Sequence, residues 1–287
     1  MIASRSVSVH VPASNIPTVF SNFLEPVKKS AAGLALGAFF MLCGFGCSAE
    51  SRLDQLDCPV QGTTETVTIN KVYDGDTVKL GDGRKVRLIG INTPELGRDG
   101  KADQPFALEA RQQLSAFLGE EALLVTDQEL TDHYGRTLAH IYNLDGKSAE
   151  AYLLSRGLGW HVVVPPNLSQ ADCLANAEKE ARQKKLNLWS ANGIQPVPAS
   201  TVSEGGFQRI QGKVTGISFT KNAWWINFGE QIAAVIYREH QHRFDRKQLE
   251  AWVGREIEVR GWVYPSRSKK YQPWRVKLET PYGFTEL

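Results

Sequence analysis

Sulfur is scarce: the 287 residues hold four cysteines and two methionines. So few thiols exclude a small fold stapled by many disulfides. Strong net charge is absent too, since 33 basic residues nearly balance 31 acidic ones. No internal repeat is evident, which argues against a solenoid. Apart from one segment near the N-terminus, no long uncharged apolar run occurs. What remains, with 42% hydrophobic and 22% charged residues, is the composition of an ordinary globular protein.

The balanced total hides an asymmetry. Residues 51–195 carry 16 Lys/Arg against 20 Asp/Glu, and residues 196–287 carry 14 against 9. The C-terminal part is therefore the basic one, and a polyanion is drawn to it first.

The exceptional apolar run is Ser30 to Gly46, preceded by Lys28 and Lys29. A basic flank, a short apolar stretch and small residues beyond it read as an export signal over residues 1–49. The alternative, a membrane anchor, needs roughly 20 apolar residues, slightly more than are present. Cys47 sits where a lipoprotein carries its lipid, although Gly44 stands where a lipobox has Leu. Ordinary cleavage after Ala49 is the competing reading. Cys43 and Cys47 belong to this region, leaving Cys58 and Cys173 to pair as a disulfide in an oxidising compartment. Two unrelated buried thiols are the plainer alternative.

Polar residues 50–65 look like a tether. Strands are expected at Thr66–Ile69, Thr77–Leu80 and Lys85–Ile89, the last two joined by the hairpin signal Gly81-Asp82-Gly83. From Pro105 the apolar residues Phe106, Ala110, Leu114 and Leu118 recur at helical spacing, and Gly119 ends the helix. Further strands follow at Leu123–Val125 and Leu138–Tyr142, then helices at Ser148–Arg156 and Ser169–Lys185. This order implies a small α+β domain around a β-barrel, covering about residues 66–190. Residues 191–205, rich in Pro, Ser and Gly, read as a linker. Residues 206–287 supply five strands: Gly212–Ile217, Trp224–Phe228, Ile232–Tyr237, Glu256–Tyr264 and Arg275–Leu278. A helical stretch at Arg246–Val253 lies between the third and fourth, the arrangement of a second, smaller OB-like β-barrel.

Chemistry concentrates in three segments: Tyr73-Asp-Gly-Asp-Thr77, Arg87-Leu-Ile-Gly-Ile-Asn-Thr-Pro-Glu95 and Thr131-Asp-His-Tyr-Gly-Arg136. Cutting a phosphodiester requires a hydroxide, neutralisation of the developing charge and a grip on the anion. Oxygen ligands for a hard cation are available from Asp76, Asn92 and the Thr93 carbonyl. Arg87 and Arg136 offer two guanidinium forks, and Glu95 a carboxylate base. Pro94 fixes the turn that holds Glu95 near the proposed ligands. Taken singly, each has a plain explanation: a turn, a solvated strand face, a helix-start carboxylate. Their joint occurrence carries the case.

The set Asp-Gly-Asp-Thr, Arg-Leu with Thr-Pro-Glu, Asp-x-Tyr-Gly-Arg and Lys-Leu-Asn-Leu-Trp-Ser resembles the staphylococcal nuclease (thermonuclease) family over about half the chain. The resemblance implies an OB-type barrel with three helices and calcium-dependent cleavage of DNA and RNA. It assigns catalysis to Arg87, Glu95 and Arg136, and calcium binding to Asp76, Asn92 and Thr93. Two departures stand out. The family's second calcium carboxylate is here Asn92, which keeps an oxygen but loses a charge, so cation affinity should weaken unless Asp74 or solvent compensates. The family's nucleotide-packing tyrosine beyond Gly157 is also missing. Trp160 stands near that place, either as a substitute for that contact or, as favoured, as a core residue, while Tyr134 keeps one aromatic contact with substrate.

The C-terminal segment mixes basic and aromatic residues, the pattern of sequence-tolerant single-strand binding. Lys269 and Lys270, in a loop between the last two strands, are its candidate nucleic-acid contacts. Trp225 and Trp262, flanked by strand-like alternation, are expected in the core. Two rival readings remain: a nucleic-acid-binding protein that has lost catalysis, and an exported OB-fold protein with another ligand.

Overall fold

Between Glu65 and Val72 apolar residues alternate with polar ones, and this segment forms the first strand, β1 (Glu65–Val72). The structure is a computed structural model, and it describes residues 58–97, 99–267 and 271–287. The export-signal region, with Cys47, lies outside the described residues, as do Lys269 and Lys270. After β1 come β2 (Thr77–Leu80), β3 (Lys85–Leu88), the short β4 (Ile91–Asn92) and helix α1 (Ala107–Leu118). Then follow β5 (Glu121–Thr131), β6 (Thr137–Tyr142), α2 (Ala149–Ser155), β7 (Trp160–His161) and α3 (Ala171–Gln183).

Strands β1, β2, β3, β6 and β5 close into a barrel in that order. The β3–β6 pair is parallel and the other pairs are antiparallel. This is the strand order of an OB-fold. Val78, Leu80, Val86, Leu88, Leu124 and Ile141 fill the interior, and Leu114 and Leu118 of α1 pack against them. Each such aliphatic side chain, once buried, contributes roughly 1.5–3 kcal/mol. Ser148 caps α2 by accepting a hydrogen bond from the Ala151 N–H. Cys58 is bonded to Cys173, tying the segment before β1 to α3.

The second sheet contains β8 (Val197–Pro198), β9 (Gly206–Lys213), β10 (Gly216–Phe219), β11 (Ala223–Asn227) and β12 (Ile232–Tyr237). Helix α4 (Arg246–Glu250) intervenes before β13 (Glu256–Pro265), β14 (Trp274–Lys277) and β15 (Phe284–Glu286). Its path runs β10-β11-β12-β14-β13-β9-β8, with β15 on β13. Only Val214 and Thr215 separate β9 from β10. The Val214 N–H bonds to Arg255 and the Thr215 N–H to Asn227, so the chain passes there from one neighbouring strand to another. One bent stretch thus supplies both flanks of the sheet, and the order repeats that of the first barrel.

Several boundaries differ from the sequence-based expectation: β1 and β5 run longer than expected, β5 over Glu121–Thr131 where Leu123–Val125 was expected. The strand expected at Gly212–Ile217 starts at Gly206 and breaks at Val214, because it must serve two partners. The stretch expected as linker is partly built into the second sheet. There β8 pairs in parallel with β9, and Ala199 and Val202 are buried.

The barrels meet through α3. Arg260 of β13 pairs with Glu178 at 2.5 Å and Glu258 of β13 with Arg182 at 3.9 Å, while Arg209 of β9 braces Glu258 from within the second sheet at 2.7 Å. Trp189 lies between Arg182 (4.5 Å) and Arg209 (4.4 Å). Charges taken out of water are tolerated when each finds such a partner. His161 meets the edge of Tyr282 at 5.1 Å beside this network.

Candidate active site

The β1–β2 turn is built around Asp74, whose Oδ1 accepts the Asp76 N–H at 3.1 Å. Only glycine fits between these acids: a Cβ on Gly75 would come within 2.7 Å of Thr93 Cγ2 and 2.8 Å of Ala110 Cβ. Asp76, at the mouth of β2, accepts the Thr93 N–H at 2.8 Å and the Thr93 hydroxyl at 3.2 Å. It therefore fixes the segment after β4 against the start of β2. Arg87 reaches across from β3. One nitrogen donates to the carbonyls of Leu88 (2.6 Å) and Ile91 (2.7 Å). The other donates to Asn92 Oδ1 and pairs with Asp76, each at 3.2 Å.

Asp74, Asp76, Asn92 and Thr93 are all buried. Burial first, then the neighbouring Asp76 charge, push the Asp74 carboxyl up to about 7, and the charge of Glu95 acts in the same direction. Glu95 is therefore close enough to act electrostatically on this cluster, while remaining exposed. Its backbone is pinned on both sides by Gln104, just ahead of α1.

Arg136, where the β5–β6 loop enters β6, donates from Nε to Asp132 at 2.7 Å. Asp132 also accepts the N–H groups of Tyr134 and Arg136, each at 2.9 Å. Burial works to raise the Asp132 carboxyl, but the hydrogen bonds and charge of Arg136 bring it net below its ordinary value. Tyr134 is 74% exposed beneath the Arg136 guanidinium, 5.6 Å away. Arg87, Arg136 and Tyr134 line one cleft of about 460 Å³, with Val162, Val164 and Trp262 on its walls.

The structure thus joins Arg87, Asp76, Asn92 and Thr93 by hydrogen bonds and places Arg136 and Tyr134 along the same cleft. Glu95 does not line that cleft; it stands beyond Asn92 and Thr93. Cys58 and Cys173 are bonded away from these residues, with Cys173 packed against the first barrel core. Trp160 is buried, as expected of a core residue. The expectation for the two C-terminal tryptophans needs correction. Trp225 is half-buried under the Arg275 guanidinium at 4.8 Å, and Trp262 is 47% exposed in the cleft. The reason is strand alternation: Ile257, Val259 and Val263 face the interior, so Glu258, Arg260 and Trp262 face out. Two charged residues on that face were the signal for its direction.

Among the described residues, no three His, Cys, Asp or Glu side chains cluster as a metal site. The donor set here is different, combining carboxylate, amide and backbone carbonyl oxygens. These are the donor types a hard divalent cation takes, and in this structure Arg87 engages both the Asp76 carboxylate and Asn92 Oδ1.

Fold and site together define an OB-fold protein with two arginines along one cleft and a buried set of side-chain oxygens beside it. The family model for staphylococcal nuclease homologues matches residues 85–191. The chain is 35% identical over 129 residues to a thermonuclease of Staphylococcus intermedius, covering 44% of this chain and 76% of that one. It is also 35% identical over 133 residues to the SPbeta prophage-derived endonuclease YokF of Bacillus subtilis, covering 45% of that protein. Against the endonuclease YncB of the same organism, identity is again 35%, over 63% of that protein. The chain belongs to the staphylococcal nuclease homologue family. It spans less than half the length of YokF, and its residues beyond 191 lie outside the family match.

Proposed function

We propose that this protein is an exported nuclease that hydrolyses phosphodiester bonds of DNA or RNA in a calcium-dependent manner. One observation carries the reading: Asp76, Asn92, Thr93 and Arg87 are knotted by hydrogen bonds beside a cleft that Arg136 also enters. The relatives named endonuclease and thermonuclease support the reaction class.

Asp76, Asn92 and the Thr93 carbonyl are the residues to hold calcium, which when bound supplies positive charge to a phosphate oxygen. Arg87 commits its terminal nitrogens to two backbone carbonyls, Asn92 and Asp76, so its charge is fixed in place before substrate arrives and acts on a nearby phosphate electrostatically. Arg136, oriented by Asp132, offers its fork to the scissile phosphate. Glu95, exposed and adjacent to the acidic cluster, takes a proton from the attacking water. The basic second barrel holds the rest of the polynucleotide. Export is supported by the basic-then-apolar N-terminal pattern and by the Cys58–Cys173 bond, which suits an oxidising compartment. Cys47 is the residue to carry a lipid, should processing follow the lipoprotein route.

Replacing Glu95 by Gln keeps shape and removes the base. Cleavage of a labelled oligonucleotide in calcium should slow by about 10²- to 10⁴-fold, with substrate affinity changed little. An unaltered rate would exclude Glu95 from the chemistry.

A further inference from the structure

The cleft that holds Arg87 and Arg136 is not made by the family barrel alone, because Trp262 of the second barrel forms part of its wall. Trp262 follows Glu258 and Arg260 along the same face of β13. The first two face α3 of the first barrel, where Glu258 pairs with Arg182 at 3.9 Å and Arg260 with Glu178 at 2.5 Å, which leaves the third at the point where the interface opens. Its ring is braced. Phe207, its partner across the β9–β13 ladder, meets it edge-on at 5.3 Å, and Phe207 rests on buried Trp160 of the first barrel at 5.4 Å. This aromatic series, rooted in the barrel that carries the arginines, keeps the exposed indole in place relative to them.

Trp262 is 47% exposed yet held by its neighbours, and it counts as a feature of the site because it joins other apolar side chains in one patch along the cleft. Val162 and Val164 continue the apolar wall, and Val164 is itself 43% exposed. Glu279 also reaches the cleft, but Lys277 engages it at 2.6 Å, which weakens its repulsion of an anion. The cleft thus has an apolar, aromatic side and a guanidinium side, as a nucleotide has a base and a phosphate. Its volume of about 460 Å³ is within the range of small-ligand sites.

The geometry points to Trp262 as a stacking platform for an unpaired base of single-stranded nucleic acid, next to the phosphate that Arg87 and Arg136 attract. This inference rests on the reading of the cleft as a polynucleotide site. A base within a duplex has both faces covered by its neighbours, so only an unpaired base can use the indole. Trp262 is a positioning residue that favours single strands over duplex.

The test uses the full chain carrying Glu95→Gln, in calcium, so that the probe persists. Binding of a fluorescein-labelled oligothymidylate of about eight nucleotides is compared with binding of a blunt duplex, by anisotropy. Trp262→Ala should weaken oligothymidylate binding about tenfold or more and duplex binding less than twofold, while Trp262→Phe restores most of the loss. Trp262→Leu, which keeps apolar bulk without a ring, should behave as the alanine variant and guards against a folding defect. Equal oligothymidylate affinity in all variants, or equal losses for both probes, would overturn the platform. Hydrolysis by the unmodified enzyme is scored separately. If it cuts nothing while the strand-selective loss persists, the platform stands and the catalytic reading falls.

Discussion

Asn92 stands where the family resemblance implies a carboxylate, and its surroundings are well defined. Its Oδ1 accepts from Arg87, whose other contacts are two backbone carbonyls and Asp76. An aspartate there would keep the hydrogen bond and return a negative charge to the cradle. Asn92→Asp should therefore lower the calcium concentration for half-maximal cleavage by about tenfold, read from activity against free calcium. No shift, or a shift to higher calcium, would remove Asn92 from the cation site. Most of these residues were legible in the sequence because their chemistry is local: Asp76, Arg87, Asn92 and Arg136 lie in short motifs on successive strands. Asp74 was harder to weigh. Its burial beside Asp76 depends on Ala110 and Thr93 closing over Gly75, and no motif records that contact.

At the scale of elements, β7 and α3 illustrate what periodicity leaves out. The two-residue β7 is too short to show any alternation, yet it pairs with β4 and carries His161 into a fully buried place. Burial first, and then the nearby Arg260 charge, lower the His161 imidazole to about 3 from an ordinary 6.5. Across that window the unfolded chain binds a proton that the folded chain does not. Stability is fully present above pH 6.5 and falls as the pH drops, by up to about 1.4 kcal/mol per pH unit. His240, lowered mainly by burial, acts in the same direction. Thermal melts between pH 7 and pH 4 should therefore show a steeper decline for the native sequence than for His161→Phe, which keeps a ring against Tyr282. Parallel curves would show that His161 does not couple to folding. Some elements were readable end to end: β12 begins and ends where the apolar run does, and α1 stops at Gly119 as its sequence dictates. By contrast, β5 runs well past the expected Leu123–Val125, because its second half is mostly polar.

At the scale of the whole molecule, two barrels with one strand order are joined by paired charges. The sequence showed two barrels but not their contact, because Glu178 and Arg260 are separated by 82 positions and neither belongs to a motif. For the same reason residues 191–205 looked like a free linker, although Ala199 and Val202 are buried in the second core. Arg260→Ala would leave Glu178 buried without its nearest cation, a defect costing about 3–5 kcal/mol. Calorimetry should show one unfolding transition for the native protein and, for the variant, melting at lower temperature in two steps. A variant that melts as one unit at the native temperature would mean that other contacts hold the barrels together.

Trp189 closes the segment that matches the family, and an arginine from each barrel covers its ring. A fragment ending there would strip that indole of Arg209 and Glu178 of Arg260, baring a face that has no reason to tolerate water. The half of the chain that matches the family is thus built as one piece of a larger object. Excising it at the family boundary would yield a sticky remnant rather than a miniature nuclease.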